Sequence, residues 1–137
     1  MVDKELVRNK LINLEEYIND LKEYKDVKVI EYENDKLLHR FIERTLHLAV
    51  EAILDIGSHI ISDERLGSPD NNSDIIKILA RHDIIKKNVD DYVKMAKFRN
   101  IIVHDYEDIK PEIILGIVKN NLDDLKAIFN WYQEYIS

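Results

Sequence analysis

Residues 46–61, LHLAVEAILDIGSHII, lie near the middle of the chain and have the widest apolar surface in it. Their apolar side chains recur at spacings of three and four residues and cover more than one face of a helix. A helix with so wide an apolar surface packs against more than one neighbour, either inside one fold or across a dimer. We therefore predict a central helix, and the surrounding pattern extends it to roughly Asn34–Leu66.

The segment before the central helix is also helical in pattern. A first helix is predicted from about Asp3 to Lys25, with Asp3 as its N-cap, because its apolar residues alternate spacings of four and three. Residues 26–33 form either a connector or the beginning of the next helix. The apolar stripe of the first helix consists of Val7, Leu11, Leu14, Ile18 and Leu21.

Residues 67–72, GSPDNN, are the clearest break in the chain because they combine several turn-forming residues. After this break, Ser73 is expected to cap a short helix that runs to about Arg81. A further helix is expected over residues 83–104, where the apolar pattern resumes.

The last part of the chain predicts one more helix. Residues 105–110 read as a loop, and Pro111 occupies the first position of a helix that extends to about Tyr135. Three Gly and two Pro in the whole chain are too few for the many turns of a β-sandwich or barrel. We predict an all-α bundle of four to five helices, formed by residues 1–137 as a single domain. The buried face of the last helix is expected to contain Ile114, Ile117, Val118, Leu122, Leu125, Ile128, Phe129 and Tyr132.

Composition limits the class of protein. With 45% hydrophobic residues among 137, the chain has enough apolar side chains for a core and is not a disordered acidic segment. The absence of Cys excludes disulfides, thiolate metal sites and cysteine nucleophiles. The longest apolar run, residues 113–118, is far shorter than the ~20 residues that span a bilayer, and the N-terminus lacks a signal-peptide pattern. We expect a soluble cytoplasmic protein without a membrane partner.

Charge is distributed unevenly along the chain. The net charge is −7, which argues mildly against nucleic-acid binding, since phosphate contacts come from Lys and Arg. Residues 77–104, however, contain seven basic and three acidic residues, a local charge of +4, so the rest of the chain has −11. A basic segment inside an acidic protein still presents a surface that attracts phosphate.

Arg99 interrupts the apolar stripe of the helix over residues 83–104. The stripe contains Ile85, Val89, Tyr92 and Ala96, and Arg99 follows at the next apolar position. A guanidinium at such a position either pairs with a carboxylate or opens into a wet cavity, because an unpaired buried charge is very costly. A snorkelling or structurally paired arginine is the alternative to a functional one.

His104 and Tyr106 follow Arg99 closely in the sequence. Five residues on a continuous helix turn through about 500°, so Arg99 and His104 lie roughly 140° apart around the axis. They converge only if the helix ends near His104 or if a second subunit brings its own copy opposite.

The stretch RNIIVHDY, residues 99–106, resembles the R-x4-6-H signature of the HEPN superfamily, in the R-N-x-x-V-H-x-Y form found in HepT toxins. The resemblance extends from about Leu11 to Tyr132 and agrees with the predicted helix plan. The other segments that carry it are residues 46–56, 59–61, 66–69 and 95–98.

The resemblance implies a homodimeric, metal-independent endoribonuclease that acts as the toxin of a toxin–antitoxin pair. It implies a composite site in which two copies of the motif face each other across the dimer cleft. It also implies an antitoxin of the MntA type, a small nucleotidyltransferase that attaches AMP to the motif tyrosine, here Tyr106. No cofactor is implied.

The residues suit this chemistry. An imidazole such as that of His104, with a reference pKa of about 6.5, transfers protons near neutral pH, and Arg99 presents a fork of donors to phosphate oxygens. Asn100, Tyr106 and Lys97 are candidates for binding phosphate or RNA, or for supporting the site. Asn100 is equally well explained as a polar residue at a helix end, and Tyr106 as a half-buried loop aromatic.

A row of polar residues four apart in the central helix includes the candidate partners of Arg99, which are Glu51 and Asp55. Glu and His at this spacing suggest a metal site, but each step of four overshoots a turn by about 40°, so only neighbours share a face. A solvated face with i,i+4 contacts, or a polar wall of the cleft, is favoured over metal binding. The row consists of His39, Glu43, His47, Glu51, Asp55, His59 and Asp63.

Two other functions remain open at this point. One is a catalytically silent HEPN dimer that serves as binding partner or substrate of a minimal nucleotidyltransferase, which the net charge of −7 mildly favours. The other is a helical scaffold without a site, which Arg99 on the apolar stripe argues against.

Overall fold

The computed structural model describes residues 1–104 and 109–137, and for Val103 and His104 it describes the backbone. In this part of the chain every regular element is a helix, and there are seven of them. The all-helical prediction is confirmed, and the described residues form seven helical elements where the sequence predicted a bundle of four to five helices. The helices are α1 Lys4–Lys22, α2 Val29–Asn34, α3 Lys36–Glu64, α4 Asn72–Arg81, α5 Val89–His104, α6 Pro111–Asn120 and α7 Leu122–Ile136.

The 29-residue helix α3 is the centre of the fold. It contacts α1, α2, α4, α5 and α7, so its wide apolar surface is covered by neighbours from the same chain. All five predicted stripe residues of α1 are buried, and Asp3 caps that helix by accepting a hydrogen bond from the Leu6 amide. Burial of these facing stripes is what fixes α1 against α3.

Two helix boundaries differ from the prediction because the side chains of Asp35 and Asn71 cap helices. Asp35 accepts a hydrogen bond from the Leu38 amide at 3.1 Å, which separates the short helix α2 from α3. The N-cap of α4 is Asn71 and not Ser73, since Asn71 Oδ1 accepts from the Asp74 amide at 2.9 Å. Both satisfy amides of a first helical turn that have no partner inside the helix.

The helix predicted over residues 83–104 begins later, at Val89. Asp83 and Asn88 have left-handed backbones, with φ of 59° and 57°, so the residues between them form a turn. The predicted last helix is also divided, because α6 ends at Asn120 and α7 begins at Leu122.

Helices α4 and α7 approach α3 closely at Gly57. A Cβ atom at this position would lie 2.8 Å from Leu79 Cδ1 and 2.9 Å from both Ile75 Cγ2 and Tyr132 Oη. The Tyr132 hydroxyl is buried and donates a hydrogen bond to the Ile53 carbonyl at 2.8 Å. Only glycine leaves room for this three-helix contact, which holds the far end of α3 in place. Within the described residues, no helix is both long and apolar enough to cross a membrane.

Candidate functional site

Helix α5 packs against α3 through the stripe that contains Arg99. Tyr92 and Ala96 on this stripe are fully buried, and the Tyr92 hydroxyl donates to the Asp124 carbonyl at 2.6 Å. One turn after Ala96, the side chain of Arg99 is still 28% exposed. The stripe therefore passes from core to surface at Arg99, and the guanidinium lies at that boundary.

Glu51 of α3 is the carboxylate that pairs with Arg99. Arg99 Nε donates to Glu51 Oε1 at 2.5 Å, and Arg99 Nη1 donates to Asn100 Oδ1 at 3.2 Å. A guanidinium has five N–H groups, and these contacts use two of them. Glu51 is 36% exposed, so the ion pair is partly solvated and orients Arg99 more than it stabilises the fold.

Glu51 receives a second hydrogen bond from its own helix. His47 Nε2 lies 3.3 Å from Glu51 Oε1, and Arg44 Nη1 lies 3.2 Å from His47 Nδ1. Because a guanidinium only donates, Nδ1 accepts from Arg44 and Nε2 carries the proton given to Glu51. Arg44, His47, Glu51, Arg99 and Asn100 thus form one hydrogen-bonded array, hereafter the arginine array. Sequence reasoning missed Arg44, although its spacing of three from His47 was a usable signal.

Asp55, the other candidate partner, has different neighbours. Asp55 Oδ2 is 2.6 Å from Lys10 Nζ of α1, and Asp55 Oδ1 is 3.5 Å from His59 Nε2. The polar row of α3 thus forms separate i,i+4 pairs, including His39 with Glu43 at 2.9 Å. Among the described residues, no three His, Asp or Glu side chains come together in a way that could hold a metal ion.

Lys97 and Asn100 are both exposed on α5. Lys97 lies at the edge of a cavity of about 390 Å³ whose lining is mainly apolar and includes Met95, Phe98 and Ile101. Five further cations of the basic segment are exposed on α4, α5 and the turn between them, and one of these, Lys86, pairs with Glu134 at 3.3 Å. They are Lys77, Arg81, Lys86, Lys87 and Lys94.

His104 is the last residue of helix α5, so the helical backbone positions 99 and 104 are separated by about 140° around its axis. Within one chain the helix does not bring these two positions to one face. The side chain of His104 and the whole of Tyr106 lie outside the described residues. The structure therefore joins Arg99 with Asn100 and Glu51, and separates Asp55 from them.

Two curated nucleases and a solved toxin structure are similar to this chain. An mRNA nuclease HepT from Shewanella oneidensis is 30% identical over 101 residues, which are 73% of this chain and 76% of that protein. A tRNA nuclease HepT from Aphanizomenon flos-aquae is 24% identical over 136 residues, 98% of this chain and 92% of that protein. A solved structure of tri-AMPylated Shewanella oneidensis HEPN toxin with MNT antitoxin gives a TM-score of 0.83 at 26% identity. It covers 98% of this chain and 99% of that one.

The all-helical fold and its similarity to this HEPN toxin define a protein of the HEPN class. Within that class the chain belongs to the HepT-like ribonuclease family, whose pattern matches residues 14–130.

Proposed function

We propose that this protein is the toxin of a toxin–antitoxin pair and acts as a metal-independent endoribonuclease. The observation that carries the proposal is Arg99, which occupies a core-facing position yet stays partly exposed and is held by Glu51. Family membership and the nuclease relatives support an activity on RNA. An arginine oriented by a carboxylate at the surface suits the binding of a phosphate group.

The proposed reaction uses the 2′-hydroxyl of the RNA as nucleophile. His104 removes its proton while the 2′-oxygen bonds to phosphorus and the bond from phosphorus to the 5′-oxygen breaks. The leaving 5′-oxygen takes a proton from solvent or from a second imidazole, and a 2′,3′-cyclic phosphate remains. Arg99 stabilises the charge that develops on the phosphate oxygens, with Asn100 and Lys97 as further phosphate contacts.

The helix geometry favours a homodimer for this reaction. Because positions 99 and 104 are about 140° apart on α5, one chain presents them in different directions. A second chain facing the first would bring His104 of one subunit towards Arg99 of the other. We propose that the site is composite in this sense, with two copies of the motif across one cleft.

We further propose that the partner is an MntA-type nucleotidyltransferase that modifies Tyr106 with AMP. The support is the similarity to an AMPylated HEPN toxin bound to its MNT antitoxin. A phosphate-linked nucleotide two residues from His104 adds negative charge beside the proposed cleft and repels RNA. After co-expression with an MntA-type nucleotidyltransferase, mass spectrometry should find AMP on the Tyr106 peptide. If that peptide is unmodified, this part of the proposal is wrong.

Cleavage of labelled RNA in EDTA tests the nuclease. We expect Arg99→Ala to slow cleavage by about 10²- to 10³-fold and His104→Ala by about 10²- to 10⁴-fold. Arg40→Ala, which removes an exposed cation of α3 outside the basic segment of residues 77–104, is the matched control and should change cleavage little. The product end should be a 2′,3′-cyclic phosphate. Full activity in both the Arg99 and the His104 variants would contradict the assignment.

The second candidate is a silent HEPN dimer that serves as the substrate or partner of the nucleotidyltransferase. The antitoxin complex of the solved relative favours such a partner role. Tight complex formation without any RNA cleavage in EDTA would select this function over the nuclease.

A further inference from the structure

A groove of about 380 Å³ lies between α1, α3 and α4, on the side of α3 that carries Glu51. Its volume is within the range of small-molecule sites, which is about 300–1,000 Å³. Polar side chains dominate its lining, in contrast to the apolar cavity beside Lys97. The polar residues used below are Lys10, Asn13, Tyr17, Glu51, Asp55 and Ser58.

We propose that this groove binds one nucleobase of single-stranded RNA next to the phosphate held by Arg99, an inference that rests on the proposed function. Tyr17 supplies the stacking surface, and the polar groups around it read the edge of the base. Proteins that recognise single-stranded RNA use this combination, because a splayed base offers a flat face and a free Watson–Crick edge.

Position connects the groove to Arg99. Glu51 lines the groove and at the same time accepts the hydrogen bond of Arg99 Nε. A phosphate bound by the guanidinium would therefore lie beside the mouth of the groove, and a base attached to the next sugar could enter it. The arginine array and the groove are in this way two parts of one surface on α3.

The polar groups of the groove predict which bases fit. Asn13 and Ser58 each donate and accept hydrogen bonds, whereas the Asp55 carboxylate only accepts. Asp55 Oδ1 has one long contact, 3.5 Å to His59, and retains capacity for an amino donor. Adenine and cytosine present such an amino group, but the edge of uracil has carbonyl oxygens on both sides of its one N–H. We expect amino-bearing bases to be preferred over uracil.

Binding measurements with 2′-O-methyl oligoribonucleotides test base binding independently of nuclease activity, since the methyl group blocks attack by the 2′-oxygen. Fluorescence anisotropy with labelled oligo-A, oligo-C and oligo-U measures affinity directly on the 137-residue chain. We expect oligo-U to bind at least about fivefold more weakly than the other two. Equal affinities for the three, or no binding of any, would overturn the inference even if the protein cleaves RNA.

Three variants test the residues of the groove. Tyr17→Ala should weaken binding of every oligonucleotide by about tenfold, whereas Tyr17→Phe should keep the stack and the affinity. Asp55→Asn should remove the preference against oligo-U, because an amide can also donate to a carbonyl. Tyr135→Ala is the matched control, as this exposed tyrosine of α7 lies outside the groove.

Folding of each variant is checked by its thermal melting curve, and Tyr17→Phe remains informative if Tyr17→Ala unfolds. Unchanged affinity and base preference in folded Asp55→Asn would refute base reading by Asp55. A loss of affinity in Tyr17→Phe as large as in Tyr17→Ala would refute stacking. If the wild type binds as expected but cleaves no RNA, the result supports base binding in the groove and contradicts the nuclease assignment.

Discussion

Gly57 and Gly116 lie inside helices, and the same substitution to alanine should have opposite effects at the two positions. At Gly57 a Cβ atom would be 2.8–2.9 Å from atoms of Leu79, Ile75 and Tyr132, all closer than real Cβ contacts. At Gly116 the added Cβ would have no described atom within 4 Å apart from its chain neighbours and the backbone of its own helix. Steric crowding therefore acts at one site and is absent at the other.

The magnitudes follow from the two environments. Alanine is better than glycine inside a helix by about 0.8–1.0 kcal/mol, so Gly116→Ala should stabilise the protein by roughly that amount. Gly57→Ala gains the same propensity but overpacks a well-packed contact, which costs about 1–3 kcal/mol. The propensity gain is common to both variants, so the difference between them isolates the steric cost, about 1–3 kcal/mol.

Urea unfolding followed by circular dichroism measures both free energies of unfolding. The protein concentration has to be held constant, because an oligomer gains apparent stability with concentration. A Gly57→Ala variant as stable as Gly116→Ala, within about 0.5 kcal/mol, would show that α4 and α7 do not approach α3 as described.

Two further predictions concern a helix cap and the buried tyrosines. Asn71→Ala should destabilise the protein by about 1 kcal/mol, because it removes the acceptor for the first turn of α4. Ser73→Ala, one position inside α4, should change the free energy of unfolding by less than about 0.5 kcal/mol. If urea unfolding shows the larger loss for Ser73→Ala, the cap is misassigned. Burial raises the pKa values of Tyr92 and Tyr132 above the usual value for tyrosine. Between the unfolded pKa of about 10 and these raised values the folded state binds more protons than the unfolded state, so stability is intact below about pH 10 and falls above it. Absorbance at high pH should therefore show these tyrosines ionising together with unfolding, and their ionisation in the folded protein near pH 10 would contradict their burial.

The helices themselves were predictable because their signals are local. The stripe of α1 and its cap at Asp3 depend on spacing within a few residues, and the structure has both. The cap of α4 was missed because Asn71 and Ser73 both suit an N-cap, and the choice depends on where the chain turns before the helix. The turn before α5 was missed because the apolar residues Ile84 and Ile85 continue the helical pattern of the sequence. In the structure both side chains are buried, but they belong to the non-helical segment between α4 and α5.

The candidate site, like the helices, was predictable from the sequence only in part. Arg99 was conspicuous in the sequence because a charge on an apolar stripe violates the pattern. The sequence left two candidates for its partner, Glu51 and Asp55, because they are one turn apart on the same helix and chemically alike. Which of them meets Arg99 depends on how α5 crosses α3, and α1 brings Lys10 to Asp55 instead. These are contacts between helices that are distant in the sequence, so the spacing of residues along one helix cannot predict them.

The sequence by itself determined that this chain is helical, where its apolar stripes lie and which arginine breaks them, since all three are periodic or local properties. Only the tertiary structure decided that Glu51 holds Arg99, that Asp55 belongs to Lys10, and that a polar groove opens beside them. The physical reason is that ion pairs and cavities arise where separate helices meet, and their relative placement is set by packing of the whole core.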